Sequence, residues 1–268
     1  MKKVLTIAGS DSCGGAGIQA DLKTFAAHGT YGMSVICAVT AQNTQGVFAV
    51  QDISKDIIAK QIEAIFDDIQ VDAVKIGMVS REDTIKTIAE GLKRYGAKNI
   101  VIDPVMISKS GYSLLRPEAQ DALIKELLPL ADIITPNIPE AETISGMKIK
   151  DVSDMEKVAK FISQIGPKNV LVKGGHLDED ATDVLLTNGE FIYYTSPRIK
   201  TKNTHGTGCT LSSAIASNLA LGYSMTEAVK RAKRYITTAI EHSFSIGKGV
   251  GPTNHFYELY EKAGLNNE

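Results

Sequence analysis

Short apolar runs alternate along the chain with stretches whose apolar residues recur at helical spacing. Residues 4–8, 33–39, 73–76, 100–102, 133–135 and 170–173 are mostly apolar runs of strand length, with many Val and Ile. Between the first two, Ile18, Leu22, Phe25 and Ala26 fall on one helical face, and 57–65, 83–95, 118–128 and 155–165 also read as helices. Strand followed by helix, repeated, with strands apolar on both sides, predicts a mostly parallel sheet covered on both faces. The rhythm changes after Gly175. Residues 184–187 and 190–194 flank Asn188-Gly189, a tight-turn dipeptide, so an antiparallel edge hairpin is expected there. Two long helical stretches, 207–221 and 226–243, follow. No linker or repeat interrupts the pattern, so residues 1–268 read as a single domain built on one large sheet.

Composition removes some function classes. The chain is 43% hydrophobic and 22% charged, with a formal net charge of −2 and both signs mixed throughout. That balance gives no overall attraction to nucleic acid or to an anionic membrane. Three cysteines, Cys13, Cys37 and Cys209, form neither a disulfide framework nor a zinc pattern, which fits reduced thiols and a cytoplasmic setting. The apolar start breaks at Gly9-Ser10-Asp11, too early for a signal-peptide core, and no apolar run approaches the ~20 residues of a membrane span.

The chemistry-bearing residues gather after the strands, where ligands bind in open α/β sheets. Thr204-His205-Gly206-Thr207-Gly208-Cys209-Thr210 opens a helix. Its glycines allow close backbone approach, and a helix start offers unpaired N–H groups to an anion. Cys209 falls in the first turn, where the helix dipole is expected to lower a thiol pKa. The same residues also suit an ordinary helix start over a structural cysteine, and spacing alone leaves both open. Gly15-Ala16-Gly17-Ile18-Gln19-Ala20 matches the dinucleotide fingerprint, but the next strand ends in Val39-Thr40-Ala41-Gln42-Asn43 without the ribose-binding acid. An oxidoreductase is therefore the weaker reading. No Gly-Lys-Ser/Thr follows, so this is not a Walker loop either. Asp103 and Glu140 are acids of the kind that hold Mg²⁺, and Lys173 can reach a phosphate from a strand end. Singly, each is as readily a cap or a solvated side chain. Residues 108–115 suit a lid or a plain surface loop.

Taken together, these segments closely resemble the ribokinase-like superfamily and, within it, the hydroxymethylpyrimidine/phosphomethylpyrimidine kinases of thiamine synthesis. The resemblance rests on Gly14-Gly15-Ala16-Gly17-Ile18-Gln19-Ala20-Asp21, Ala38-Val39-Thr40-Ala41-Gln42-Asn43-Thr44, Lys75-Ile76-Gly77-Met78, Asp103-Pro104-Val105-Met106, Thr135-Pro136-Asn137 with Glu140, Val172-Lys173-Gly174-Gly175-His176 and the 204–210 loop. It implies a three-layer α/β/α fold, ATP and Mg²⁺, a small pyrimidine substrate, two successive phosphoryl transfers and a homodimer. By motif it implies that Gly9, Asp21, Gln42, Met78 and Val105 hold the pyrimidine. Asn137, Lys173, Thr204, Thr207 and Lys233 would serve the nucleotide, and Asp103 and Glu140 the metal. His205, Gly206, Gly208 and Cys209 would form the catalytic loop, with Cys209 as base where sugar kinases of this fold carry an aspartate. Pyridoxal kinase of the same fold is the near rival. A sensor without catalysis fits poorly, because Asp103, Glu140, Lys173 and Cys209 are all retained.

Overall fold

The computed structural model describes residues 1–106, 117–175 and 180–265. The proposed lid at 108–115 and His176 lie outside them. Among the described residues nine strands form one sheet: β1 (Lys3–Asp11), β2 (Tyr31–Asn43), β3 (Gly46–Asp52), β4 (Ala73–Ile76), β5 (Ile100–Ile102), β6 (Ile133–Ile134), β7 (Val170–Val172), β8 (Ala181–Thr187) and β9 (Glu190–Ser196). Their spatial order is β3-β2-β1-β4-β5-β6-β7-β8-β9, with the six central strands parallel. The hairpin β8–β9 turns at Asn188 and Gly189, both with positive φ (49° and 81°), as a two-residue turn of this hand requires. The sheet has a second antiparallel edge that the apolar pattern did not reveal, because β2 runs on past residue 39 and folds back as β3.

Alternate residues along the strands serve two separate cores. Leu5, Ile7, Val74, Ile76 and Ile102 pack with α2 (Lys55–Phe66), α3 (Glu82–Arg94) and α6 (Val152–Ser163). Val4, Ala73, Val101, Ile133 and Leu171 pack on the other face with α1 (Gly17–Ala27), α7 (Thr207–Ala220) and α8 (Met225–Glu241). Apolar surface on both faces of β1, β4, β5, β6 and β7 makes this a three-layer α/β/α molecule. The expected helix over 118–128 begins as α4 (Pro117–Ala122) but widens to a π turn at Leu123–Leu127 and tightens to a 3₁₀ turn at Leu128–Leu130, ahead of β6. Two short helices were not expected, α5 (Ile138–Ser145) and α9 (Tyr257–Lys262). Among the described residues no helix is long and apolar enough to cross a membrane.

Candidate active site

The parallel strands all end on one edge, and the start of α7 faces that edge. Between them lies a cavity of about 380 Å³, within the range of small-molecule sites. The glycines of its walls are close contacts rather than slack. Gly206 caps α7 at φ 77°, and a Cβ there would run into the Gly15 carbonyl. A Cβ on Gly15 would strike the His205 ring, and Gly17, at φ 54°, lies against the Gly9 carbonyl. The fingerprint glycines thus press one loop against the other.

One end of the cavity is charged. β5 delivers Asp103, β7 delivers Lys173, and their side chains pair at 2.8 Å, with Thr135 Oγ1 3.3 Å from the same carboxylate oxygen. A Cβ on Gly208 would stand 3.2 Å from Asp103 and 3.3 Å from Lys173 Nζ, so this pair sits against the first turn of α7. Among the described hydrogen bonds none occupies the Gly208 or Cys209 N–H, as expected for a helix start. Asn137 caps α5 and exchanges hydrogen bonds with Glu140, its side-chain oxygen accepting from the Glu140 N–H and Glu140 Oε2 from the Asn137 N–H. Burial pushes the Glu140 carboxyl up to about 7, with Asp103 adding to the rise and Lys173 opposing it. Burial works against the Lys173 ammonium, but Asp103 and Glu140 outweigh it and hold its pKa up.

Around the Asp11–His205 pair the rest of the lining is mostly uncharged. Gly9, Met78 and Val105 stand there with Thr40 and Gln42. A register slip between Ala41 and Gln42 in the β2–β3 pairing re-aims Gln42 toward the cavity. Ser12 Oγ donates to the Gln42 carbonyl at 2.7 Å and accepts from its N–H at 2.8 Å. The Gln42 amide lies between Thr40 Oγ1 (3.2 Å) and His205 Nε2 (3.3 Å).

Several expected roles change. Asp21 does not reach the cavity. It is fully buried, accepting from Lys75 Nζ at 2.8 and 2.9 Å, Thr6 Oγ1 at 2.6 Å and Ser213 Oγ at 2.6 Å, and it is not part of the cavity lining. Lys233 is also outside the cavity, tied to Asp183 at 2.7 Å and the Ala181 carbonyl at 3.0 Å. Thr204 stands behind the lining and accepts from Thr207 Oγ1 through its carbonyl. Cys209 lines the cavity, but burial pushes its thiol up to about 11 despite the opposing Lys75 cation, so at rest it is a neutral thiol rather than the lowered one expected from the helix dipole.

Sequence reasoning missed Asp11. Its carboxylate accepts from the Cys13, Gly15 and Ala16 N–H groups and lies 2.8 Å from His205 Nε2. An aspartate just before a glycine-rich loop was a legible sign of such an anchor. Asp11, Cys13 and His205 stand close enough together for a metal, but the three N–H donors already claim the carboxylate and argue against one.

The chain is similar to known proteins along most of its length. A family model described as phosphomethylpyrimidine kinase matches residues 11–254. A hydroxymethylpyrimidine/phosphomethylpyrimidine kinase of Rhizobium meliloti is 53% identical over 261 residues, covering 96% of this chain and 98% of the relative. That of Bacillus subtilis is 47% identical over 266 residues, covering 98% and 97%. Among solved structures, phosphomethylpyrimidine kinase of Clostridium difficile superposes with a TM-score of 0.81 at 62% identity, covering 90% of this chain and all of that one. An ADP complex of Bacillus subtilis pyridoxal kinase gives 0.89 at 44% identity, covering 97% and 99%.

Proposed function

The chain belongs to the phosphomethylpyrimidine kinase family, and from that membership we propose that it phosphorylates 4-amino-5-hydroxymethyl-2-methylpyrimidine with ATP, first to the monophosphate and then to the diphosphate. The observation that carries the reading is that one cavity brings both kinds of group together. Lys173 and the open N–H groups of α7 suit a polyphosphate at one end, and the Gln42 amide with Met78 suits a small heterocycle at the other.

In the first transfer the hydroxymethyl oxygen attacks the γ-phosphorus, the bond to the bridging oxygen breaks, and ADP leaves. Lys173 and the Gly208 and Cys209 N–H groups hold the phosphoryl oxygens as charge shifts among them. Asp103 and Glu140 fit Mg²⁺, since two buried carboxylates beside a phosphate site share only the Lys173 ammonium. When bound, the ion would neutralise phosphate charge. Cys209 is the group placed to take the hydroxyl proton, and only its thiolate can do so.

One assay tests the reading: ADP release with MgATP, offered the pyrimidine alcohol, its monophosphate and pyridoxal in parallel. Turnover of both pyrimidines is expected. Pyridoxal kinases among the structural neighbours make a slower reaction with pyridoxal the second reading, and turnover of pyridoxal alone would overturn the pyrimidine assignment. With a thiol at about 11, the single-turnover rate of the first transfer should climb about tenfold per pH unit from pH 6 to 8. Cys209→Ala should flatten that slope and slow the first transfer more than the second, whose acceptor is already ionised. Equal losses in both would remove Cys209 as the base.

A homodimer belongs to the same proposal. Among the described residues no strand pairs with the outer edge of β3, which exposes Phe48 (67%), the kind of strand a second copy covers. Sedimentation equilibrium showing a monomer at micromolar concentration would rule that out.

A further inference from the structure

Strand β7 loses its regular partner just where it delivers Lys173. Its ladder with β8 pairs Val170, Leu171 and Val172 with Leu186, Leu185 and Val184 and ends there. The Lys173 N–H points away from β8 and donates to the Pro136 carbonyl at 2.8 Å, in a short bridge beside β6. The next N–H, that of Gly174, reaches back to β8, where a side chain accepts it: Asp183 Oδ1, at 2.9 Å. Gly174 leaves no slack, since a Cβ on it would run into the Thr182 carbonyl. Lys173 is therefore held by its own N–H on one side and by that of its neighbour on the other.

Asp183 cannot do this unaided. A carboxylate buried this deeply needs a cation, and α8 provides one. Lys233 Nζ donates to Asp183 Oδ2 at 2.7 Å and to the Ala181 carbonyl at 3.0 Å. The two side chains are only 6% and 13% exposed. One carboxylate oxygen thus serves the end of β7 and the other serves α8. Leu171 and Leu185, two residues back on each strand, belong to the core that α7 and α8 cover, so by alternation Lys173 and Asp183 face the same helices. Two lysines and two aspartates on that face are sorted into separate pairs, Lys173 with Asp103 and Lys233 with Asp183. Lys233 lies outside the cavity, so its route to the reaction runs through Asp183, Gly174 and the backbone of Lys173.

We propose that Asp183 and Lys233 are positioning residues for phosphoryl transfer: Lys233 neutralises Asp183, and Asp183 fixes the Gly174 N–H and with it the backbone from which Lys173 reaches the phosphates. The inference rests on the kinase reading of the charged end of the cavity and not on which heterocycle is bound. A displacement of about 1 Å in a positioned group can cost about 10²-fold in rate, so a hold on one backbone N–H is worth a buried ion pair.

Three variants separate positioning from stability. Lys233→Met strands the Asp183 charge and should lower kcat/KM for MgATP at least about tenfold. Lys233→Met/Asp183→Asn removes that charge but keeps an oxygen for the Gly174 N–H, and should recover most of the rate. Lys233→Met/Asp183→Leu removes the charge and the acceptor together, and should stay at least about tenfold slower than the Asn double variant. The losses should leave KM for the pyrimidine at its wild-type value, because Gln42 and Met78 follow other strands. Calorimetric titration with AMP-PCP should rank the variants in the same order. That ranking needs no acceptor, so failure to phosphorylate any pyrimidine would overturn the proposed substrate while leaving this inference to be judged by binding. A Leu double variant as fast as the Asn one would overturn the proposal. A pyrimidine KM rising in step with that for MgATP would do the same, as the mark of a general loss of order. Thermal melts show which variants fold. If the Leu double variant does not, Lys233→Met against the Asn double variant decides, and no recovery there counts against the device. If Lys233→Met alone does not fold, the two double variants decide between them.

Discussion

Lys173→Met should lower kcat/KM with MgATP about 10³-fold, because it removes the cation that meets the transferring phosphoryl group. The ammonium lies 2.8 Å from Asp103 and close against Gly208, at the mouth of α7. Methionine keeps most of the stem and deletes the charge, so the loss reads electrostatics rather than packing. It also leaves Asp103 and Glu140 facing each other without their shared counter-ion. The Glu140 carboxyl, already up to about 7 with Lys173 present, should rise further and hold a cation less well. The variant should therefore need more Mg²⁺ for half-maximal rate as well as being slow. Lys173→Arg should recover little, since a guanidinium is broader than an ammonium and Gly208 leaves no room beside it. Steady-state kinetics across a Mg²⁺ series decide this, with a thermal melt to show that the variant folds. A loss below tenfold would mean that Lys173 does not meet the phosphates.

The sheet and the edge that carries the site were legible because both depend on local chemistry. Val-rich strands between amphipathic helices announce a parallel sheet, and glycines and aspartates after strands announce loops that approach a ligand. What escaped depends on pairing between distant residues. β3 was hidden because nothing in Thr44-Gln45-Gly46 separates a loop from a turn until the neighbouring strand is in place. α5 was hidden in plainer sight. Asn137 and Glu140 have capping-box spacing, but the same two residue types at a strand end also suit a ligand-binding loop, and the spacing alone does not choose. The cap keeps Glu140 beside Asp103, so the two readings meet in one side chain.

The dinucleotide fingerprint shows why a motif needs its surroundings. Gly15 and Gly17 are required here by the His205 ring and the Gly9 carbonyl. Two glycines that face protein look the same in sequence as two that face a pyrophosphate. Asp21 was misplaced for a related reason. It stands three residues after Ile18 and four before Phe25, on the buried face of α1, where a carboxylate needs a partner more than a ligand. Lys75, within the otherwise apolar β4, was the matching sign.

Lys75→Met should destabilise the fold by about 3–5 kcal/mol, the cost of removing one member of a buried ion pair. Neither side chain of the Lys75–Asp21 pair is exposed to solvent. Burial works against the Lys75 ammonium, but the Asp21 carboxylate outweighs it and keeps the lysine charged. Without the lysine, Asp21 retains only the Thr6 and Ser213 hydroxyls, too little for an ionised group in that core. The double replacement Lys75→Met/Asp21→Leu should regain most of the loss, because apolar side chains of similar size commonly replace such a pair at no net cost. Urea midpoints for the two single variants, the double variant and the wild type close the cycle. A single variant within about 1 kcal/mol of the wild type, or a double variant no better than the single, would sink this account. If packing alone could fill the position, the pair has a reason other than stability, and Cys209 supplies one. The Lys75 cation is the main influence opposing the rise of that thiol. The double variant should therefore fold well and yet make the first transfer more slowly than the wild type at pH 7, with less thiolate to take the proton.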